Sequence, residues 1–190
     1  FNQLRCWLSC ALALFGVVRV RHLPTVVRVE PANFCQLHCP ECPVGIASSP
    51  RQLMPISLFE RVLDQVQKTA HTMQFYFQGE PLLNKQLPEM IARAHQAGLY
   101  TIVSTNAQAL NRSMAEALVK SGLSRIIVSI DGFSEESYAA YRVGGSLHRA
   151  LEGLQYLQEA KMQNGSPIRI EMQVLRLRTN EHEWSWIKKH

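Results

Sequence analysis

Short β-branched runs alternate with amphipathic helical stretches along almost the whole chain, and no low-complexity linker interrupts them. That rhythm restricts the fold more than any other feature, because strands that are each followed by a helix pair side by side in a parallel sheet. Residues 25–30, 73–77, 100–104, 125–130 and 168–175 are the predicted strands. Ser57 and Glu60 read as a capping box before an apolar stripe of Phe59, Val62, Leu63 and Val66. Residues 88–97 form the next helix, closed by Gly98, and Ser113 with Glu116 opens another that stops at Gly122. The fourth helix spans 146–161, Asn164-Gly165 marks a turn, and Asn180 reads as the cap of a final helix. The fourth strand alternates little, so it reads as covered on both faces. Such an array is either a doubly wound sheet or part of a (βα) barrel. In both, ligands sit beyond the carboxyl ends of the strands, so the residues that follow each strand belong to one rim.

After the first strand that rim carries Cys35, Cys39 and Cys42 in a C-x3-C-x2-C array. Three thiolates around a 4Fe-4S cube leave one iron open to a substrate or cofactor, which suits catalysis more than scaffolding. The rival reading is a structural zinc site in a non-enzymatic binding module, built on Cys39 and Cys42 with Cys35 or His38 joining them. Structural zinc sites usually use two such knuckles, and the sequence has no second one. His71, His95, His148, His182 and His190 share no metal-binding spacing.

The chain has 190 residues, enough for one domain with a substantial core, with 46% apolar and 18% charged residues. A net charge of +5 from scattered lysines and arginines is not the footprint of a nucleic-acid binder, although it suits an anionic substrate or an acidic electron donor. Five cysteines, three of them within eight positions, argue against a disulfide framework and for a reducing compartment. The uncharged stretch from Cys6 to Val18, bracketed by Arg5 and Arg19, with Arg21 and His22 beyond, is too short to span a bilayer. It reads as a packed helix or lead-in strand with Cys6 and Cys10 as small core residues. Starting at Phe1 and stopping at His190 within an apparent helix, the chain reads as part of a longer protein. Residues 1–24 are then a lead-in and 25–190 an incomplete core, and one of Trp184 and Trp186 is expected to face sequence beyond the end.

The strand ends carry further motifs in a fixed order. They are Cys35-Gln36-Leu37-His38-Cys39-Pro40-Glu41-Cys42, Gly79-Glu80-Pro81, Ser104-Thr105-Asn106, Val128-Ser129-Ile130-Asp131-Gly132 and Tyr141-Arg142-Val143-Gly144-Gly145. In these the chain resembles the radical S-adenosylmethionine (SAM) superfamily, in the branch often followed by a C-terminal SPASM domain. The resemblance implies a partial (βα) barrel of parallel strands with outer helices, truncated at its C-terminal end. It implies that Cys35, Cys39 and Cys42 hold a 4Fe-4S cluster whose open iron chelates SAM. An electron passed to the sulfonium then releases a 5'-deoxyadenosyl radical that takes hydrogen from a substrate. Gly79, Glu80 and Pro81 match the segment that meets the methionine amino group, while Ser129 and Arg142 match positions that meet its carboxylate. A guanidinium fork fits a carboxylate, which favours Arg142 over Arg149. Asn106 is either a cofactor contact or an Asx-turn residue, and Asp131 either a contact or a turn. Two positions depart from the common pattern: Glu41, where an aromatic often precedes the third cysteine, and Gln78, where a second glycine often stands. The resemblance also implies an electron donor such as flavodoxin or ferredoxin, a peptide or small-molecule substrate, and a cytoplasmic setting, with neither nucleic acid nor membrane as partner.

Overall fold

The computed structural model describes residues 2–17, 22–46 and 50–187; Arg19, Arg21 and His190 lie outside the described residues. Five strands, β1 (Val26–Arg28), β2 (Thr72–Gln74), β3 (Tyr100–Thr105), β4 (Arg125–Ser129) and β5 (Arg169–Gln173), pair in parallel in the order β1-β2-β3-β4-β5. A doubly wound sheet reverses its strand order at a switch point. Here each strand lies beside its predecessor, in register from Val26 opposite Thr72 to Ser129 opposite Gln173, so the sheet is the open arc of a partial barrel.

The helices are α1 (Asn2–Ala13), α2 (Pro43–Ile46), α3 (Ile56–Val66), α4 (Leu87–Gln96), α5 (Arg112–Lys120), α6 (Glu135–Tyr141), α7 (Leu147–Gln163) and α8 (Trp184–Ile187). The core lies between the sheet and α3, α4, α5 and α7, where Phe59, Leu87, Met90, Ile91, Leu118 and Leu157 are fully buried against Met73, Phe75, Ile126 and Val128. The Phe59 and Phe75 rings meet at 5.7 Å. Contrary to the sequence reading, β4 alternates in burial: Ile126, Val128 and Ile130 point into the core, while Ile127 and Ser129 are half-buried on the inner side. An arc that does not close leaves its inner face available to a ligand, so small and polar residues are tolerated there.

Gly98 and Gly122 close their helices with φ of +79°. Both predicted capping boxes are displaced. Helix α3 begins one residue early, after an extended Pro55, and no side chain caps it. Glu60 instead pairs with Arg93 of α4, a tertiary contact that outweighs the local one. Helix α5 is capped by Asn111, whose Oδ1 accepts from the backbone N–H of Met114 at 2.9 Å, so Ser113 lies inside the helix. Helix α6 has a capping box of Ser134 and Ser137 that the search for Glu or Gln at the fourth position does not reveal.

Asn180 does not cap a helix with its side chain. It is fully buried, donates to the carbonyls of Asp131 (3.0 Å) and Leu175 (2.7 Å), and so staples the loops after β4 and β5 together. Trp186 packs on Phe133 at 5.0 Å and Arg176 covers Trp184 at 5.7 Å. The lead-in also departs from expectation: α1 buries none of its residues, Cys6 is half-buried and Cys10 exposed, so neither belongs to the core. Among the described residues no helix is long and apolar enough to cross a membrane.

Replacing Asn111 by Ala is expected to cost about 1 kcal/mol of stability through the lost cap. Ser113→Ala should stay within about 0.5 kcal/mol. Urea denaturation of the two variants measures the difference, and equal losses would restore the box at Ser113.

Candidate functional site

The loop after β1 places its three cysteines through backbone contacts to distant segments. The Phe34 carbonyl accepts from Glu80 N–H at 2.9 Å, and His38 N–H donates to the Val143 carbonyl at 3.0 Å. Cys42 N–H donates to the Cys39 carbonyl at 3.0 Å, making the turn that brings those thiols to one side. Two sulfurs already have N–H donors. Leu37 N–H and Asn106 Nδ2 approach Cys35 Sγ at 3.4 and 3.3 Å, and Arg142 Nη1 approaches Cys39 Sγ at 3.8 Å. Burial pushes the Cys35 thiol up to about 11 and raises Cys39 as well, with Arg142 opposing the second shift. Such thiols give up their protons to a metal, which supplies the compensating charge.

Two carboxylates shape the loop after β2. Glu30 Oε1 accepts from the backbone N–H groups of Gln78 and Gly79, both at 2.9 Å. Gly79 then passes so close to the cysteine loop that an added Cβ would sit 1.9 Å from the Ala32 carbonyl oxygen. No other residue type fits that approach. Glu80 is 3% exposed and ties β2 to β3. Its Oε1 accepts from Thr105 Oγ1 at 2.6 Å and Leu82 N–H at 3.1 Å, and its Oε2 from Asn106 N–H at 2.9 Å. Burial raises the Glu80 pKa despite these three donors. Pro81 starts a single 3-10 turn (Pro81–Leu83) and is buried beneath the rim.

Beyond β3, Ala107 takes a φ of +59°, in the left-handed region that non-glycine residues rarely enter. That bend turns Asn106 inward. Its Oδ1 accepts from Gln108 N–H (3.0 Å) and Gln36 Nε2 (3.1 Å) while its Nδ2 meets Cys35, so the Asx turn and a place at the rim coexist in one residue. Asp131 is fully buried behind the rim. Its Oδ2 receives Arg142 Nε at 2.6 Å and Nη2 at 2.5 Å, and its Oδ1 accepts from Leu175 N–H at 2.7 Å. Burial would lower the Arg142 pKa, but Asp131 and Cys39 reverse that and raise it, so the guanidinium stays charged. Arg149 is exposed on α7.

Eight of the nine residues singled out from sequence line one pocket of about 210 Å³: Cys35, Cys39, Cys42, Gly79, Glu80, Asn106, Ser129 and Arg142. Pro81 alone stands outside its lining. Asp131 acts through Arg142, His38 and Glu41 are exposed outside the pocket, and Gln78 lines it. Sequence reasoning missed Glu30, Gln36 and Thr105, which hold the rim from below. Only their positions at strand ends and in the cysteine loop hinted at this. A larger cavity of about 620 Å³, near His95, Tyr100, Lys120 and Arg169, lies at the amino ends of the strands, where none of these groups reaches.

The donor set fits an iron-sulfur cluster. Among the described residues no three His, Cys, Asp or Glu side chains come close enough to hold a single ion. The three thiols line one pocket, and N–H donors to sulfur, which two of them already have, are the groups that tune such clusters.

Gly79→Ala is expected to displace the Ala32 carbonyl and uncouple the two loops, lowering stability by about 1–3 kcal/mol, like other overpacking changes. It should also impair iron incorporation; unchanged melting and iron content would refute the close approach. Asp131→Ala leaves Arg142 buried without its partner, with an expected loss of about 3–5 kcal/mol in denaturant titration. A loss below about 1 kcal/mol would show the pair to be solvent-screened.

The sequence matches the family described as the Radical SAM superfamily over residues 29–182. It is 37% identical over 98 residues to Fe-coproporphyrin III synthase of Methanosarcina barkeri (strain Fusaro / DSM 804), covering 52% of this chain and 25% of that protein. It is 32% identical over 129 residues to PqqA peptide cyclase of Rhodopseudomonas palustris (strain ATCC BAA-98 / CGA009), covering 65% of this chain and 32% of that protein. The chain thus spans a quarter to a third of the length of these relatives. Among solved structures, Streptococcus suis SuiB bound to the precursor peptide SuiA superposes with a TM-score of 0.68 at 20% identity, over 93% of this chain and 38% of that one. With five parallel strands in sequential order and the cysteine loop at their carboxyl rim, the chain belongs to the radical SAM superfamily.

Proposed function

We propose that this chain is the cofactor-binding core of a radical enzyme that cleaves SAM reductively and takes hydrogen from a peptide substrate. The meeting of three thiols, Gly79-Glu80, Ser129 and Arg142 around one pocket carries this reading. When bound, a 4Fe-4S cluster supplies the electron for the cleavage. Cys35, Cys39 and Cys42 would hold the cluster, and the rest of the pocket would receive SAM beside it. Arg142, held along one edge by Asp131 and still charged, would offer its remaining N–H groups to the methionine carboxylate, and Ser129 would add a hydroxyl donor. Glu80 Oε2, which has one protein donor, keeps a lone pair for the amino group. Pro81 sets the turn that holds Glu80 in place, and Asn106 holds Cys35 by its amide. Leu37, Tyr76 and Phe77 give the pocket its apolar lining.

A peptide substrate is supported by the relative named PqqA peptide cyclase and by the likeness to SuiB with its bound precursor peptide. The relative named Fe-coproporphyrin III synthase favours a second reading, in which the substrate is a small molecule. An electron donor of the flavodoxin or ferredoxin type, acidic enough to suit the basic chain, completes the reaction. The oxygen sensitivity of a rim-exposed cluster suits the cytoplasm.

Anaerobic reconstitution with iron and sulfide should give a broad absorption near about 400 nm that Cys39→Ala loses. Adding SAM and a strong reductant should then yield 5'-deoxyadenosine. A zinc-loaded protein without iron, or a reduced cluster that leaves SAM intact, would overturn the proposal.

A further inference from the structure

The five strands set one row of side chains across the inner face of the arc. Arg28 pairs in register with Gln74, Gln74 with Ile102, Ile102 with Arg125 and Arg125 with Arg169. Neighbours paired in this way point to the same face, and Val27 and Val29, on either side of Arg28, pack into the helix-covered core, so the row faces inward. Arginine supplies three of its positions. Arg125 and Arg169 share the carboxylate of Glu171, which Arg125 Nε meets at 2.8 Å. Arg28 differs: no carboxylate among the described residues forms an ion pair with it. Glu30, two residues on, gives its Oε1 to the amides of Gln78 and Gly79.

The guanidinium of Arg28 is nonetheless fixed in place. Its Nε donates to Gln74 Oε1 at 2.9 Å, and its Cζ lies 5.3 Å from the Tyr76 ring centre and 5.6 Å from that of Phe77. Both rings line the pocket that holds the three thiols. A preorganised cation therefore stands on the wall beside that pocket, with the edge of Nη1 and Nη2 available to a ligand.

We propose that Arg28 determines substrate specificity by binding a carboxylate of the substrate, which is then an acidic peptide side chain or a small organic acid. The proposal rests on the radical enzyme reading given above. A guanidinium fork matches a carboxylate with two parallel N–H donors. A phosphate would call for further donors, such as a run of backbone amides or a helix N-terminus, whereas the groups around Arg28 are two rings and an amide side chain. Arg142, which follows α6, is a separate guanidinium, so one can hold the cofactor while the other holds the substrate.

Calorimetric titration of the anaerobically reconstituted protein with SAM present tests the proposal, using acetyl-Ala-Glu-Ala-amide, acetyl-Ala-Gln-Ala-amide, glutarate and inorganic phosphate. The Glu peptide or glutarate should bind at least about tenfold more tightly than the Gln peptide, and the tighter of the two carboxylates identifies the source. Arg28→Gln should abolish the preference, and Arg28→Lys, which keeps the charge without the fork, should retain only part of it. Circular dichroism melting of both variants should match the parent, because Arg28 is exposed, and the comparison of probes on the unaltered protein is independent of how the variants fold. Failure of both carboxylates to bind more tightly than the Gln peptide would overturn the proposal. So would a preference that survives Arg28→Gln, or phosphate binding more tightly than either carboxylate. Formation of 5'-deoxyadenosine in the same samples reads the proposed function separately: product without a carboxylate preference refutes the role of Arg28 alone, and a preference without product refutes the radical reading alone.

Discussion

The carboxylate of Glu80 is the tie on which the rim depends. Buried at 3% exposure, it collects a hydroxyl from β3, an amide from the loop beyond β3 and an amide from its own turn. Its backbone N–H reaches the other way, to the loop that carries the cysteines. One residue therefore sets the distances among three strand ends. Parallel strands joined by helices have no hairpins to fix their carboxyl ends relative to one another, so that work falls to side chains such as this. The cost of burying a carboxylate is offset only because each donor is also held in place by the fold.

A second charged tie stands on the far side of the pocket. Asp131, fully buried, orients Arg142 and is itself held by Leu175 N–H, while Asn180 bonds the carbonyls of both Asp131 and Leu175. The guanidinium is thereby presented toward Cys39 with its charge retained. The two ties differ in what they leave available. Glu80 has most of its acceptor sites filled by the protein, whereas Arg142 keeps N–H groups for a ligand. Between them the inner face of the open arc carries Ser129 and Asn106, and helices cover the opposite face.

Departures from the sequence reading share a physical cause. Ser57 and Ser113 each stand three residues before a glutamate, a fair signal for a helix start, yet Glu60 is drawn to Arg93 and Glu116 toward Lys120. Local capping contributes about 1 kcal/mol, which a tertiary partner readily matches. Helix α1 departs in the opposite sense. Its composition suits a core, but the bonds of Asn2 to Leu23 and Thr69 fix a rotation that leaves the apolar side outward. Periodicity identifies which residues share a face and is silent on which way that face turns.

The sequence by itself determined that the chain alternates strands and helices, and it placed three cysteines and the other candidate ligand residues at the strands' carboxyl ends. Those conclusions rest on residue type and order, which local rules read directly. Residue pattern alone left a doubly wound sheet and a barrel arc open; the family resemblance implied the arc, and the strand order, a matter of pairing between distant segments, bears it out. Only the tertiary structure decided that Asp131 positions Arg142 in place of lining the pocket, that Asn106 serves both a turn and a sulfur, and that Glu30 holds the Gln78 and Gly79 amides where Gly79 packs on the cysteine loop. The local Asx turn of Asn106 apart, each of those roles joins residues from 11 to 71 positions apart, a separation across which no local pattern carries information.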